Sequence, residues 1–171
     1  MLKATAVRRA PLDRPAPDRI ALDHDARRVR RKLLRTAGGQ EVLVDLPRLV
    51  ALVPGDALEL EDGRLVEIAA APEPVLIVRA ADAASLARLA WHVGNRHAPC
   101  QIDTDGGSRL VIRRDHVLRA MLEGLGARVT EALVPFAPEG GAYGPAQIMG
   151  HDHGPGHGHG SHGHSHHHPH D

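Results

Sequence analysis

The sequence is poor in residues on which several protein classes depend. Its one cysteine, Cys100, excludes a disulfide within the chain. Its three aromatic residues, Trp91, Phe136 and Tyr143, are too few to stack the bases of a nucleic acid. Lysine and arginine together number 21, as do aspartate and glutamate. With neutral histidines, the chain therefore has no net charge that would attract nucleic acid or an anionic membrane.

Long apolar runs are also missing. No segment approaches the ~20 apolar residues that span a bilayer, and the first residues, MLKATAVRRAP, do not resemble a secretory signal peptide. We therefore expect a cytoplasmic protein that binds neither membrane nor nucleic acid. Alanine, leucine and valine supply the apolar content, which supports a compact fold with a small core that dimerisation would reinforce.

The first part of the chain has the alternation typical of β-strands. EVLVDLP (41–47) is a short apolar strand, and DALELEDGRLVEIA (56–69) is two alternating runs joined at an Asp-Gly pair, which predicts a hairpin. RRVRRKLLR (27–35) predicts a strand with a solvated basic face, or alternatively a docking patch for an acidic partner. Residues 1–73 are thus predicted to form an all-β domain.

The pattern changes from Pro72 onward and predicts a second domain over residues 74–138. Apolar positions at i, i+3, i+4 and i+7 indicate two helices, each followed by β-type segments. The predicted elements are a strand at 75–80, a helix at 82–94, strands at 100–103 and 109–114 with a turn at 105–107, a helix from Asp115, and a strand at 127–136. This βαββαβ order is that of the ferredoxin-like fold, so the chain as a whole is predicted to be α+β.

Local signals mark the ends of both helices. Asp82 and Asp115 are suited to N-capping, with Leu118, Met121, Leu122 and Leu125 as the core face of the second helix. Gly94 is expected to end the first helix in a left-handed conformation, with the polar Asn95, Arg96 and His97 satisfying free carbonyls, and Gly126 is expected to end the second.

Residues 139–171 predict a flexible, disordered tail that binds metal. Within it, residues 151–171 lack the apolar residues needed for a core, and their histidines alternate mostly with glycine and serine, unlike the uninterrupted run of a purification tag. Imidazoles alone do not distinguish nickel from copper or zinc. The predicted tail ligands are His151, His153, His157, His159, His162, His164, His166, His167, His168 and His170.

Four histidines precede the tail, and His116 has the most informative position. With Asp115 as N-cap, His116 is the first residue of the second helix, where a side chain projects from the helix end. Taken alone, a surface histidine there is more often no ligand. One imidazole cannot make a tight site, but a twofold dimer with this helix start near the axis would bring two together. His24 lies in a predicted turn, and Cys100 is predicted to be a small buried apolar residue.

Several motifs resemble those of the urease accessory protein UreE family, which are nickel metallochaperones. They are GNRHAPCQI (94–102), DHVLRAML (115–122) and PFAPEGGAY (135–143), followed by the histidine-rich tail. In the first domain, RRVRRKLL, EVLVDLPR and PGDALELEDGRLVEI also fit the family pattern. The chain departs from that pattern at Leu49, Ala98 and Cys100, none of which is a predicted ligand.

The resemblance implies a peptide-binding first domain and a homodimer formed by the second domains. His116 of each chain would meet at a shared nickel site, which zinc or copper could also occupy, and tail histidines would complete or supply it. The implied partners are the accessory GTPase of urease maturation and the apo-urease accessory complex. Asn95, Arg96 and His97 match the family motif, and we assign them structural or partner-binding roles.

Three functions are consistent with a metal-binding chain. The first is a nickel-delivery chaperone, and the second is a metal buffer whose tail stores ions. The third is a metallohydrolase, which the sequence disfavours because no His-Glu-x-x-His or similar cluster supplies three ligands and a base. We therefore expect a protein that binds and delivers metal without catalysing a reaction.

Overall fold

The computed structural model describes residues 2–104 and 107–140. The predicted tail ligands, together with two residues of the predicted turn at 105–107, lie outside this part of the chain. Within it, twelve elements form two sheets and two helices. Neither of these helices is long and apolar enough to cross a membrane.

The first sheet contains six strands in the order β2-β6-β5-β1-β4-β3. The predicted hairpin is confirmed, since β5 and β6 pair antiparallel and Gly63 in the turn has a φ of 82°. β4 is longer than predicted and bulges against β3 near its end. The strands are β1 (Leu2–Arg8), β2 (Asp18–Leu22), β3 (Arg28–Arg35), β4 (Glu41–Ala51), β5 (Ala57–Leu60) and β6 (Leu65–Ala70).

Alternate residues of these strands build one apolar core. Ala4, Val42, Val44 and Leu58 are fully buried on its inner side, because successive side chains of a strand point to opposite faces. On the outer side, cations pair with carboxylates across strands, as in the 2.9 Å contact between Lys3 and Asp45. The first unit is therefore β-rich, as the alternation predicted.

The second sheet confirms the ferredoxin-like prediction. Its order is β10-β7-β9-β8, with all neighbours antiparallel and one helix in each of the two crossovers. One residue, Ala71, separates β6 from β7, so Pro72 already belongs to the second sheet. The elements are β7 (Pro72–Arg79), α1 (Ala83–Asn95), β8 (Cys100–Asp103), β9 (Arg109–Arg113), α2 (His116–Gly124) and β10 (Arg128–Pro135).

Both helices pack on one face of this sheet. Leu89 and Val93 of α1 and Leu122 of α2 are buried against Leu76 and Ile112 of the central strands. Leu118 and Met121 are partly buried on the same core, as predicted. Leu125 was predicted for this face as well, but it is the C-cap residue of α2 and stays 39% exposed, because the helix has ended before it could turn inward.

The two helices end in the same hydrogen-bonded arrangement with different residues. At the end of α2, the Gly126 N–H donates to the Glu123 carbonyl and the Ala127 N–H to the Leu122 carbonyl, and Gly126 has a φ of 87°. This pair of bonds is a Schellman motif with glycine at the left-handed position. The prediction that Gly126 ends α2 is confirmed.

The prediction that Gly94 ends α1 in a left-handed conformation is wrong. Gly94 is helical, and His97 takes the left-handed position with a φ of 54°. The His97 N–H donates to the Gly94 carbonyl, and the Ala98 N–H to the Val93 carbonyl. The motif forms three residues later than predicted because Ala98 then packs on the apolar core beside Val93.

The segment after β10 covers the second face of this sheet. Phe136 is fully buried against Val75 and Val111. The Ala137 N–H donates to the Gln101 side chain at 2.9 Å, and the Glu139 N–H donates to the Cys100 carbonyl at 2.8 Å. Residues 136–140 therefore cross from the β10 edge of the sheet to its β8 edge.

Arg27 joins the first sheet to this crossing segment. The sequence predicted it on a solvated basic face, but its side chain is only 4% exposed and donates to the Phe136 carbonyl at 2.7 Å. Burial lowers the pKa of Arg27, and the negative charges of Glu73 and Asp23 offset part of this shift. The prediction failed because the acceptor lies 109 positions away in the sequence. Arg28–Arg35 remains a largely exposed strand.

Because both helices end in the same motif, substitutions at the two left-handed positions give a paired test of backbone strain. We expect His97→Gly to raise the free energy of unfolding by about 0.5 kcal/mol, because glycine removes the left-handed penalty of about 1 kcal/mol and adds a smaller entropy cost. The matched variant Gly126→Ala should lower it by about 1 kcal/mol, since an added Cβ would meet no atom within 4 Å and the cost is conformational. Urea unfolding measures both. A loss of stability in His97→Gly would instead assign the imidazole a stabilising contact.

Candidate metal-binding site

His116 is an exposed side chain at a fixed helix start. It is the first residue of α2, directly after the N-cap Asp115. The Asp115 carboxylate accepts hydrogen bonds from the Val117 and Leu118 N–H groups, both at 2.8 Å. These bonds hold the pKa of Asp115 below its ordinary value, the bond from Leu118 contributing most. The cap therefore fixes the helix end from which the imidazole projects, as predicted.

The imidazole opens onto a cavity of about 410 Å³ between α2 and the edge of the second sheet. The floor is Leu76 of β7, and the remaining walls are charged. Two cations and two carboxylates face the space, so it carries no excess of charge when His116 is neutral. The lining residues are Leu76, Arg114, Asp115, His116, Arg119 and Glu131.

Ion pairs organise the charged side of the cavity. Arg119 Nη1 lies 2.9 Å from one Glu131 oxygen, and Arg114 Nη1 lies 3.7 Å from the other. Arg119 also binds Glu123 through its Nε, at 3.0 Å. Glu131 is thus held between two guanidinium groups beside the imidazole. These side chains are about half exposed, so each pair is worth about 0–1 kcal/mol.

Exposed apolar side chains flank the site. Val117, next to His116, is 54% exposed, and Leu133 on β10 is 68% exposed. Leu133 lies two residues after Glu131 and so shares its face, the one that contacts α2. Leu133 pairs with Pro74, whose carbonyl accepts the Arg114 N–H at 3.2 Å. Both side chains are therefore apolar surface that a partner chain could cover.

The last described residues lie at the same end of the sheet as His116. Glu139 binds Cys100, Cys100 pairs with Ile112, and β9 leads from Ile112 to the start of α2. Glu139 therefore lies about two strand spacings, or about 10 Å, from the end of β9. Eleven positions separate Gly140 from the first tail histidine, His151, and eleven residues of chain can span up to about 36 Å.

The other histidines of residues 2–104 and 107–140 do not line the His116 cavity. His24 lies in a turn with its ring 5.7 Å from that of Phe136, and His92 packs edge-on against Trp91. Within residues 2–104 and 107–140, no group of three or more histidine, cysteine, aspartate or glutamate side chains is arranged to hold a metal. In this part of the chain, His116 therefore offers an exposed imidazole beside the carboxylates of Asp115 and Glu131.

Cys100 has the properties of a small core residue. It packs on the apolar core of the second sheet, and burial raises the pKa of its thiol to about 11. The thiolate is the form that binds metals, so a protonated Cys100 is a poor ligand at neutral pH. Asn95, Arg96 and His97 are exposed at the end of α1, consistent with the structural or partner-binding roles proposed for them.

Sequence reasoning missed the residues that surround His116. Arg119 lies in DHVLRAML but was assigned no role, and Arg114, Glu131 and Leu133 lie in no motif. Glu131 reaches the site because β10 pairs with β7. Val117 could have been found, since it falls outside the predicted core positions of α2 and is apolar. The strand register of the second sheet brings these residues together, and the local sequence patterns did not predict that register.

Comparisons with known proteins agree along almost the whole chain. The family model for the C-terminal domain of the UreE urease accessory protein matches residues 73–170, and the model for its N-terminal domain matches residues 3–71. The urease accessory protein UreE of Rhodobacter capsulatus is 59% identical over 140 residues, which are 82% of this chain and 85% of that protein. The protein of the same name from Chelativorans sp. (strain BNC1) is 52% identical over 153 residues, which are 90% of this chain and 94% of that protein.

The cap of α2 gives a pH-dependent prediction. We expect Asp115→Ala to lower the melting temperature at neutral pH, because the Val117 and Leu118 N–H groups lose their acceptor. The carboxylate stabilises above its unfolded pKa of about 3.9, and this contribution is lost as the pH falls through its lower folded pKa. The difference between the two proteins should therefore shrink below about pH 4.

Thermal melts between pH 7 and pH 2.5 measure this difference. Asp115→Asn is the control, since its amide oxygen can still cap the helix and does not titrate. A difference that stays constant, or grows, on acidification would show that the Asp115 carboxylate does not stabilise the fold through this cap.

Proposed function

Because the chain belongs to the urease accessory protein UreE family, and so to the proteins of urease maturation, we propose that it binds Ni²⁺ and delivers it during assembly of the urease active site. The observation that carries the proposal is the exposed His116 imidazole at the capped start of α2, beside exposed apolar side chains. Imidazole is a ligand suited to nickel.

We propose that the complete site forms between two chains. One imidazole is too few ligands, and a twofold interface places each residue opposite its twin. Val117 and Leu133 supply apolar surface at the site, and the exposed Ala120 and Gly124 of α2 would allow a partner helix to approach closely. This homodimer would bring two His116 side chains to one axis.

The tail histidines would supply further ligands to this site or collect ions for it. In support, the Glu139 N–H binds the Cys100 carbonyl, at the end of the sheet where α2 begins. The ten residues between Gly140 and His151 are long enough to bring His151 from this end of the sheet to His116. Metal would then be held by imidazoles of the body and of the tail, with zinc or copper able to replace nickel.

The receiving partners would be the accessory GTPase and the apo-urease accessory complex, in the cytoplasm. The first domain would take part in these contacts. Delivery requires that the ion leave, so a site of few ligands at a protein surface suits a carrier. Such a site is poorly suited to catalysis, which needs ligands held in a preorganised arrangement.

A metal buffer is the competing function. In a buffer, the ten tail histidines would bind nearly all of the metal, and the body would contribute nothing specific. The two functions differ in where the first ion binds.

Nickel calorimetry at neutral pH separates them. For a chain truncated after Gly150, we expect about one Ni²⁺ ion per dimer, because two opposed imidazoles would bind it. In the same truncated chain, His116→Ala should abolish this binding. His92→Ala is the matched control, because His92 is a partly exposed histidine that packs against Trp91 away from the site. Binding that disappears with the tail and ignores His116 would establish the buffer instead.

A further inference from the structure

Glu131 shares the His116 cavity but has no part in the helix cap. The cavity is lined by two carboxylates, and Asp115 is committed to the backbone N–H groups of α2. Glu131 comes from β10 and is half exposed, and its carboxylate contacts Arg114 and Arg119, whose side chains are also about half exposed. Its oxygens could leave those cations at small cost, because exposed ion pairs contribute about 0–1 kcal/mol.

We propose that Glu131 supplies a carboxylate ligand to the metal ion bound by His116, and that Arg119 competes with the ion for this carboxylate. The inference rests on the proposed function, because it concerns the same ion. In a twofold dimer, two imidazoles and two carboxylates would provide four protein ligands. A mixed nitrogen and oxygen set of this size suits the tetragonal geometry of Ni²⁺.

The geometry of Arg119 makes it the competitor. It lies three residues after His116, on an adjacent position of the same helix face. Its Nη1 contacts Glu131 at 2.9 Å, whereas Arg114 stands further away at 3.7 Å. An ion that takes Glu131 must first displace Arg119 from the carboxylate. The competition would therefore weaken the site, which favours release of the ion to a partner.

The chain contains a matched control for this carboxylate. Glu123 also binds Arg119, at 3.0 Å, and its side chain is 46% exposed against 50% for Glu131. Glu123 does not line the cavity. Replacing it removes the same charge and disturbs the same arginine, but removes no predicted ligand.

The experiment is a set of nickel titrations of the full chain at neutral pH. His116-dependent binding is measured as the binding that is lost when His116→Ala is added to each protein. We expect Glu131→Gln to weaken this binding about tenfold, the lower end of what the loss of a metal-site partner costs. Arg119→Gln should strengthen it about three- to fivefold, the value of one exposed ion pair. Glu123→Gln should change it less than about twofold.

The double variant Arg119→Gln/Glu131→Gln decides between competition and simple charge effects. If Arg119 acts through Glu131, the double variant binds as weakly as Glu131→Gln alone. If the gain from Arg119→Gln persists without Glu131, the guanidinium only repels the ion and the proposal is wrong. A gain in affinity cannot come from damage to the fold, and melting temperatures of all variants check this point.

The outcomes also separate this inference from the proposed function. If no nickel binding depends on His116, the proposed site itself fails. If binding depends on His116, but Glu131→Gln behaves like Glu123→Gln, the site stands and Glu131 is not a ligand.

Discussion

The second half of the structure depends on β7 being buried on both of its faces. β7 pairs with β10 on one side and with β9 on the other. Leu76 and Val78 pack under the helices, and Val75 packs under Phe136 on the opposite face. Glu73, at the start of the same strand, accepts the His24 N–H of the first unit at 2.8 Å. One strand therefore supports the sheet, both cores and the contact with the first unit.

The position of His116 follows from this arrangement. The register of β7 and β9 sets where β9 ends, and Asp115 then starts α2 within two residues. The register of β7 and β10 brings Glu131 and Leu133 to the same place from a strand that lies later in the chain. The crossing of residues 136–140 brings the end of the described chain to this end of the sheet as well. A single histidine thus acquires charged and apolar neighbours from three elements.

Local signals in the sequence were enough for most of the elements and for the place of His116 at a helix start, although β1 and β2 were not predicted. The hairpin at Gly63, both N-caps and the βαββαβ order follow from residue type and spacing, which act over a few positions. The sequence-based predictions failed where a tertiary contact decides the burial or the conformation of a residue. Arg27 is buried by an acceptor 109 residues away, and His97 takes the left-handed position because Ala98 gains a place on the core. The neighbours of His116 could not be predicted for the same reason.

The proposed homodimer requires nickel to bind where two His116 side chains meet on a twofold axis. The most direct measurement is anomalous scattering at the nickel absorption edge, from crystals of the full chain grown with about one equivalent of Ni²⁺ per dimer. A site shared by two chains would give a peak on the axis, within coordination distance of both imidazoles. Anomalous density that lies away from His116 in both chains would contradict it.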